Sequence, residues 1–160
     1  MRHTVSVLVR NEFGVLSRVV GMFSGRGYNI DSLNVAPTLD PKVSCITLVT
    51  HGDNETIEQI TKQLHKLIDV MTVKDYVNQA DFVGRELAML KVSPLPESRA
   101  EVLRIVEIFR GKIVDVSPRS FVIEITGGQD KIDAIARLLE PLGLQQVVRT
   151  GPLAVARGGH

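Results

Sequence analysis

Two short stretches hold residues whose types and spacing suit the binding of a small charged molecule. The first is residues 11–16 (NEFGVL), and the second is residues 27–30 (GYNI). Gly14 stands where a helical pattern begins, and the first N–H groups of a helix have no partner inside it and carry partial positive charge. Because glycine has no side chain, a carboxylate can approach those N–H groups closely.

Three kinds of contact to a free amino acid are available in these stretches. N–H groups after Gly14 would bind its carboxylate, and the asparagine amides would meet its ammonium group, since an amide both donates and accepts. Apolar neighbours would contact an aliphatic side chain. The sequence therefore predicts an effector pocket whose members are Asn11, Gly14, Val15, Leu16, Asn29 and Ile30. The same asparagines and glycine also suit ordinary turns and a helix cap, so a purely structural role stays open on residue types alone.

The residues needed for catalysis are not found in a recognisable pattern. The histidines are scattered, at His3, His51, His65 and His160, and neither an HExxH nor a CxxC motif is present. A zinc site needs three or four converging ligands, so we expect surface or strand-edge histidines and no metal site. Cys45 lies in an alternating apolar stretch without a neighbouring base, which predicts a small buried residue and not a nucleophile.

The first half of the chain alternates between strand and helix patterns. Strands are predicted at residues 3–9, 28–36, 43–50 and 70–77. Apolar residues at helical spacing predict one helix from Val15 to Phe23, ended by Gly25 and Gly27. They predict a second helix, capped by Asp53 or Asn54, with an inward stripe of Ile57, Ile60, Leu64, Leu67 and Ile68. This order of elements is that of a ferredoxin-like βαββαβ domain, an antiparallel sheet with both helices on one face.

The same order recurs in the second half, after a polar stretch at residues 79–85 (QADFVGR). Strands are predicted at residues 86–92, 113–116, 121–126 and 145–149, and a helix at residues 130–139. A further helix has Val102, Leu103, Val106 and Phe109 facing inward. We therefore predict an α+β chain of two ferredoxin-like domains, with antiparallel sheets and helices on one face. The domains are residues 1–78 and 86–160, the linker is residues 79–85, and the second domain ends in a flexible tail.

Charge and cysteine content exclude several classes of partner. The net charge is +1, with eight basic and eight acidic residues in residues 1–78 and eleven and ten in the rest. This balance predicts neither nucleic acid nor anionic lipid as a partner. A single cysteine cannot form an intrachain disulfide, and the apolar run near Met1 is too short to span a membrane. We therefore expect a cytoplasmic protein.

Each predicted domain has only about 75 residues, and a domain of that size buries only about 60% of its unfolded surface. Ferredoxin-like sheets also have exposed edges. Oligomerisation remedies both problems, so we expect a homo-oligomer.

A sequence motif supports a specific family. Residues 11–19 (NEFGVLSRV), followed by residues 23–33 (FSGRGYNIDSL) and residues 35–38 (VAPT), closely resemble the small regulatory subunit of acetolactate synthase, also called acetohydroxyacid synthase. Further similar segments are residues 63–70 (QLHKLIDV) and residues 109–116 (FRGKIVDV). The resemblance covers essentially the whole chain and is most specific in the first forty residues.

The resemblance implies a regulatory protein without catalysis. Its first domain would be an ACT domain that pairs edge to edge with a second copy and binds its effector at the interface. Asn11, Gly14, Val15 and Leu16 of one chain would then face Asn29 and Ile30 of the other. The partner would be the catalytic large subunit, which carries thiamine diphosphate, Mg and FAD, whereas this subunit would carry no cofactor. It would activate that subunit and confer feedback inhibition by a branched-chain amino acid, usually valine.

Two other classes of function are compatible with a small ferredoxin-like chain. The first is a stand-alone amino-acid sensor that regulates another enzyme or transcription. A regulator of transcription would need a DNA-binding module, and neither a helix-turn-helix nor a basic stripe is visible. A small enzyme would need a convergent polar pocket in the second half, where we find none.

Overall fold

The computed structural model describes residues 1–77 and 79–159; Asn78 and His160, which end the predicted first domain and the tail, lie outside the described residues. The chain divides into two compact units. Unit 1 is Met1–Val83 together with Gly151–His160, and unit 2 is Gly84–Thr150. The predicted α+β class is confirmed, because each unit has an antiparallel sheet with two helices.

Unit 1 contains a four-stranded sheet in the order β2-β3-β1-β4. Its strands are β1 (Arg2–Arg10), β2 (Ser32–Pro37), β3 (Val43–His51) and β4 (Val70–Tyr76). Neighbouring strands are antiparallel throughout. The helices are α1 (Val15–Gly25) and α2 (Asn54–His65).

The core of unit 1 lies between one face of this sheet and the two helices. Alternation along β1 and β3 and helical spacing along α1 and α2 direct apolar side chains to this layer. Its buried members are Val5, Val7, Val9, Val15, Val19, Phe23, Ile46, Leu48, Ile57, Ile60 and Leu64. We call this the helix face of the sheet, and the opposite side the open face.

Strand β2 begins later than predicted. Residues 28–31 were expected to be extended, but they connect α1 to β2, and Asn29 therefore lies three residues before the strand. The cause is the end of α1: Tyr28 N–H donates to Phe23 O at 2.9 Å, with Gly27 at φ 73° making the turn. This bond is the one that closes a glycine-ended helix, so the predicted role of Gly27 is confirmed.

Helix α2 begins at the predicted cap. The Asp53 carboxylate accepts from Thr56 N–H at 2.7 Å, and this bond holds the pKa of Asp53 below its usual range. The predicted inward position of Ile68 is wrong. Helix α2 ends at His65, so Ile68 leaves the helical stripe and is 85% exposed.

Unit 2 repeats the arrangement with the sheet order β6-β7-β5-β8. Its strands are β5 (Phe82–Val92), β6 (Lys112–Val116), β7 (Phe121–Gly127) and β8 (Leu144–Arg149), and its helices are α3 (Arg99–Ile108) and α4 (Gln129–Leu139). Along α3 the buried residues are Val102, Ile105 and Val106, whereas Leu103 is exposed and its predicted inward position is wrong.

The structure differs from the sequence expectation at the linker and the tail. Gln79–Asp81 form a short 3-10 helix, and β5 already begins at Phe82, so residues 82–85 are part of a strand. The tail contains a further strand, β9 (Leu153–Ala156), which pairs with β5. The compact units nevertheless place the tail with unit 1 and not with the second domain.

An ion pair between a buried carboxylate and a partly exposed arginine stabilises unit 2. Glu86 is only 4% exposed, and Arg149 Nε donates to its carboxylate at 2.6 Å. Arg149 Nη1 also donates to Asp133 at 2.6 Å. The hydrogen bond to Glu86 raises the pKa of Arg149, and the bond to Asp133 acts in the same direction. In the part of the chain that is described, no helix is long and apolar enough to cross a membrane.

We expect Arg149→Met to destabilise unit 2 by about 3 kcal/mol, because the substitution leaves the buried Glu86 carboxylate without its partner. Urea unfolding measures the change. Arg104→Met is the matched control: Arg104 pairs with Glu101 on an exposed helix face at 3.2 Å, and we expect a change within about 0.5 kcal/mol. Equal stabilities of the two variants would contradict the role assigned to Arg149.

Candidate functional site

The start of α1 is an open group of N–H donors. Gly14 precedes the helix with φ 83° and ψ −6°, and no side chain caps the helix. The first i to i−4 bond runs from Arg18 N–H to Gly14 O at 3.1 Å, and Val15 N–H makes only a long bond of 3.4 Å to Glu12 O. Among the described residues, Leu16 N–H and Ser17 N–H have no acceptor. These two N–H groups can receive an anion.

Asn11 is held beside this helix start by the β2–β3 turn. Its N–H donates to Lys42 O at 2.8 Å, and its side-chain Nδ2 donates to Pro41 O at 2.9 Å. Asn11 therefore stabilises this turn, which is the structural role that residue types alone left open. Its Oδ1 has no partner within the described residues, and an amide oxygen can accept from an ammonium group.

Arg18 is a candidate residue that sequence reasoning missed. Its Nε and Nη2 donate to Asp69 Oδ2 at 3.0 and 2.5 Å, and Asp69 is 6% exposed. A Cβ built on Gly14 would lie 3.1 Å from Arg18 Nη1. A helical side chain leans toward the N-terminus of its helix, so the four-residue spacing from Gly14 is the signal that could have found it. Arg18 Nη1, the guanidinium nitrogen that is not bonded to Asp69, therefore lies beside Gly14 as a further donor.

The two apolar residues predicted on this helix face different ways. Val15 is buried in the core of unit 1, so only its backbone can face a ligand. Leu16 is 41% exposed and offers an apolar surface next to the open N–H groups.

The second predicted stretch lies in the connection before β2. Asn29 Nδ2 donates to Asp31 Oδ1 at 2.8 Å, and Asn29 O accepts from Thr50 Oγ1 at 2.6 Å. The Asp31 carboxylate also contacts His51 Nδ1. Ile30 is half-buried against the core of unit 1. Asp31 is a second residue that was missed; an acidic residue two positions after Asn29 was the available signal.

The structure of one chain does not bring these two groups together. Asn11 follows β1 at the end where Arg10 pairs with Val43, whereas Asn29 is bonded to Thr50, which pairs with His3 at the other end of β1. His3 and Asn11 are eight residues apart along an extended chain, which is about 26 Å. The six predicted residues therefore lie in two separate groups, and each group is a candidate half-site. We name them the helix-start half-site (Asn11, Gly14, Val15, Leu16) and the β2-start half-site (Asn29, Ile30).

Within the described residues, the histidines and the cysteine noted in the sequence do not form a second candidate site. His3 was expected at the surface or a strand edge, but it is 2% exposed in the central strand β1, with Nδ1 3.1 Å from Asp75 Oδ2. This expectation was wrong because His3 lies on the helix face. Cys45 is half-buried, with Sγ 3.5 Å from Ser6 Oγ. His160 lies outside the described residues, and within those residues no three His, Cys, Asp or Glu side chains are grouped to hold a metal ion.

A cavity of about 330 Å³ lies beside α2 and β4. Its lining residues are Asn54, Ile57, Glu58, Thr61, Lys62 and Asp75. None of the six predicted effector residues lines it.

We expect alanine to have opposite effects at two glycines of the α1 region. Gly14→Ala should cost about 1 kcal/mol, because an L-residue at φ 83° is strained. Gly21→Ala should stabilise by about 1 kcal/mol, since Gly21 is an exposed residue inside α1 and its new Cβ meets no atom within 4 Å. Urea unfolding at one protein concentration gives both values. Changes of the same sign would contradict the left-handed conformation of Gly14.

Comparison with known families agrees with these two units. The model of an AHAS small subunit-like ACT domain matches residues 5–72, and that of the small subunit of acetolactate synthase matches residues 85–158.

Similar proteins extend the match to the whole chain. The acetolactate synthase small subunit of Haemophilus influenzae is 48% identical over 159 residues, covering 99% of this chain and 97% of the relative. The acetolactate synthase isozyme 3 small subunit of Escherichia coli is 46% identical over 159 residues, with the same coverage. The crystal structure of the Thermotoga maritima small subunit superposes with a TM-score of 0.89 at 40% identity, covering 100% of this chain and 99% of that one.

These relatives are small subunits of the enzyme and not its catalytic subunit. Both the matched residues and the fold therefore place this chain in the family of acetolactate synthase small subunits, with an ACT domain as its first unit.

Proposed function

We propose that this protein is the non-catalytic regulatory subunit of an acetolactate synthase in branched-chain amino-acid biosynthesis. It binds the catalytic large subunit, raises its activity and makes it sensitive to feedback inhibition by valine or a related branched-chain amino acid. The observation that carries the regulatory role is the family match over essentially the whole chain. The placement of the effector site is supported by the separation of the two half-sites to opposite ends of β1, because a ligand that contacts both would need a second chain.

The pairing of the strands supports a particular dimer. β2 is an edge strand whose start, Ser32, pairs with Val49 and whose end, Pro37, pairs with Ser44. If the β2 strands of two chains pair antiparallel about a two-fold axis, the start of one lies beside the end of the other. The β2-start half-site of one chain then approaches the helix-start half-site of its partner, and two identical sites form.

The chemistry of the joined half-sites fits an aliphatic amino acid. Its carboxylate would bind Leu16 N–H and Ser17 N–H, with Arg18 Nη1 nearby as a further donor. Its ammonium group would meet the amide oxygens of Asn11 and of the partner chain's asparagine at position 29. The aliphatic side chain would lie between Leu16 and the isoleucine that follows that asparagine. Charged groups at both ends and a short apolar middle match a branched-chain amino acid.

Catalysis belongs to the other subunit in this proposal. Thiamine diphosphate, Mg and FAD would bind the catalytic large subunit, and this subunit would hold no cofactor. The holoenzyme would work in the cytoplasm, and neither nucleic acid nor membrane would be a partner.

We expect Gly14→Asp to abolish feedback inhibition and to leave activation intact. The new carboxylate would lie beside Arg18, in the place of the effector's carboxylate. The assay is acetolactate formation by the catalytic subunit with added small subunit, with and without valine. We expect the half-inhibitory valine concentration to rise at least about tenfold, the size of a typical allosteric coupling. Gly21→Asp, on the same helix, is the matched control, and equal valine sensitivity of both variants would refute the placement.

A mixed dimer tests whether two chains build one site. Gly14→Asp alters the helix-start half-site, and Asn29→His alters the β2-start half-site. A dimer of one chain of each kind has one fully wild-type site and one doubly altered site. Random pairing after co-expression would leave about a quarter of the sites intact. Calorimetric titration with valine measures this fraction, and each variant alone should bind no valine. No binding by the mixture would place both half-sites on one chain.

A further inference from the structure

The tail of the chain lies on the start of β2. We define the strap as residues 151–157. Gly151 is buried with φ 78°, and a Cβ built on it would lie 2.5 Å from Ser32 Cβ and 2.6 Å from Ser32 Oγ. Asn34 Nδ2 donates to Gly151 O at 3.4 Å. No side chain fits between the strap and β2 at this position, so glycine is required by both space and backbone conformation.

The strap begins on the open face of the unit 1 sheet. Leu33 pairs with Leu48 on the helix face, so Ser32 and its pair Val49 face the opposite way. Val49 pairs with Thr4, and Thr4 pairs with Tyr76. These pairs form one row across all four strands, from Ser32 at one edge to Tyr76 at the other.

The far end of the strap is attached beside Tyr76. Burial raises the pKa of the Tyr76 hydroxyl, and the nearby backbone of Ala156 opposes that rise. The Tyr76 ring packs on Phe82 with centroids 4.9 Å apart. Arg157 N–H donates to Asp81 O at 2.8 Å, and Arg157 Nε donates to Phe82 O at 3.2 Å. The strap thus has one anchor on each edge strand of the sheet.

The length of the strap matches this course. Three strand spacings separate β2 from β4, which is about 14 Å. The five steps from Gly151 to Ala156 span about 17 Å in an extended chain. The strap is therefore just long enough to join the two anchors.

We propose that the strap is a positioning element of the effector site. Through the contact of Gly151 with Ser32 it holds the start of β2, and with it Asn29 and Ile30, in the place from which they reach the partner chain. Ser32 follows Ile30 by two residues, and Asp31 N–H between them donates to Val49 O at 2.8 Å in the same row. This inference rests on the proposed function, because it concerns the affinity of the site proposed there.

The test is Gly151→Ala in the full chain. A Cβ at this position must push the strap and β2 apart. We expect faster hydrogen–deuterium exchange of residues 29–32 and, in the reconstituted holoenzyme, a half-inhibitory valine concentration about tenfold higher. Maximal activation of the catalytic subunit without valine should be unchanged. Gly159→Ala is the matched control in the same tail, because its Cβ would meet no atom within 4 Å.

A second variant separates positioning from a general loss of stability. Ser32→Gly removes the side-chain atoms with which the new Cβ would clash. The double variant Gly151→Ala with Ser32→Gly should therefore recover most of the valine sensitivity and the slow hydrogen–deuterium exchange of residues 29–32. Wild-type exchange and valine sensitivity in Gly151→Ala would overturn the inference, as would an equal loss in Gly159→Ala or no recovery in the double variant. If valine has no effect on the wild-type holoenzyme, the proposed function fails, and the exchange comparison still decides whether the strap positions residues 29–32.

Discussion

The length of β1 is the constraint on which the candidate site depends. This strand is central in the unit 1 sheet, and its pairing with β3 fixes the helix-start and β2-start half-sites at opposite ends. An extended strand of nine residues cannot shorten without breaking its hydrogen bonds on both sides. A ligand that needs both half-sites therefore needs two chains, and the same rigidity that separates the half-sites also presents each one in a defined place.

The helix-start half-site combines a backbone conformation that glycine adopts without strain with a charged side chain that is already paired. Gly14 opens the helix in the left-handed region, where a residue with a side chain would cost free energy. Beside it, the buried Asp69 carboxylate takes two hydrogen bonds from Arg18, so the guanidinium is held in place before any ligand arrives. Donors that are already oriented lose little conformational entropy when a ligand binds.

A site shared between subunits gives a physical route to regulation. A ligand that contacts both chains favours one arrangement of the dimer over others, and it shifts the population only by its difference in affinity between them. If the catalytic subunit also distinguishes these arrangements, the two binding events are linked, and each changes the other by the same factor. The strap would strengthen ligand binding in this linkage, because it holds one of the two half-sites in place before the ligand binds.

Sequence patterns by themselves determined the order of elements, the α+β class, both helix faces in outline and the family, because alternation, helical spacing and a specific motif are local properties. They also placed Asn11, Gly14 and Leu16 at a helix start with open N–H groups. Only the tertiary structure decided what depends on contacts distant in the chain. Arg18 lies beside Gly14 because it is bonded to Asp69, and His3 is buried beside Asp75. Asn29 lies before β2, and the tail contacts Ser32, more than a hundred residues away in the chain. A local sequence pattern does not predict such contacts, because they form only when packing brings remote segments together.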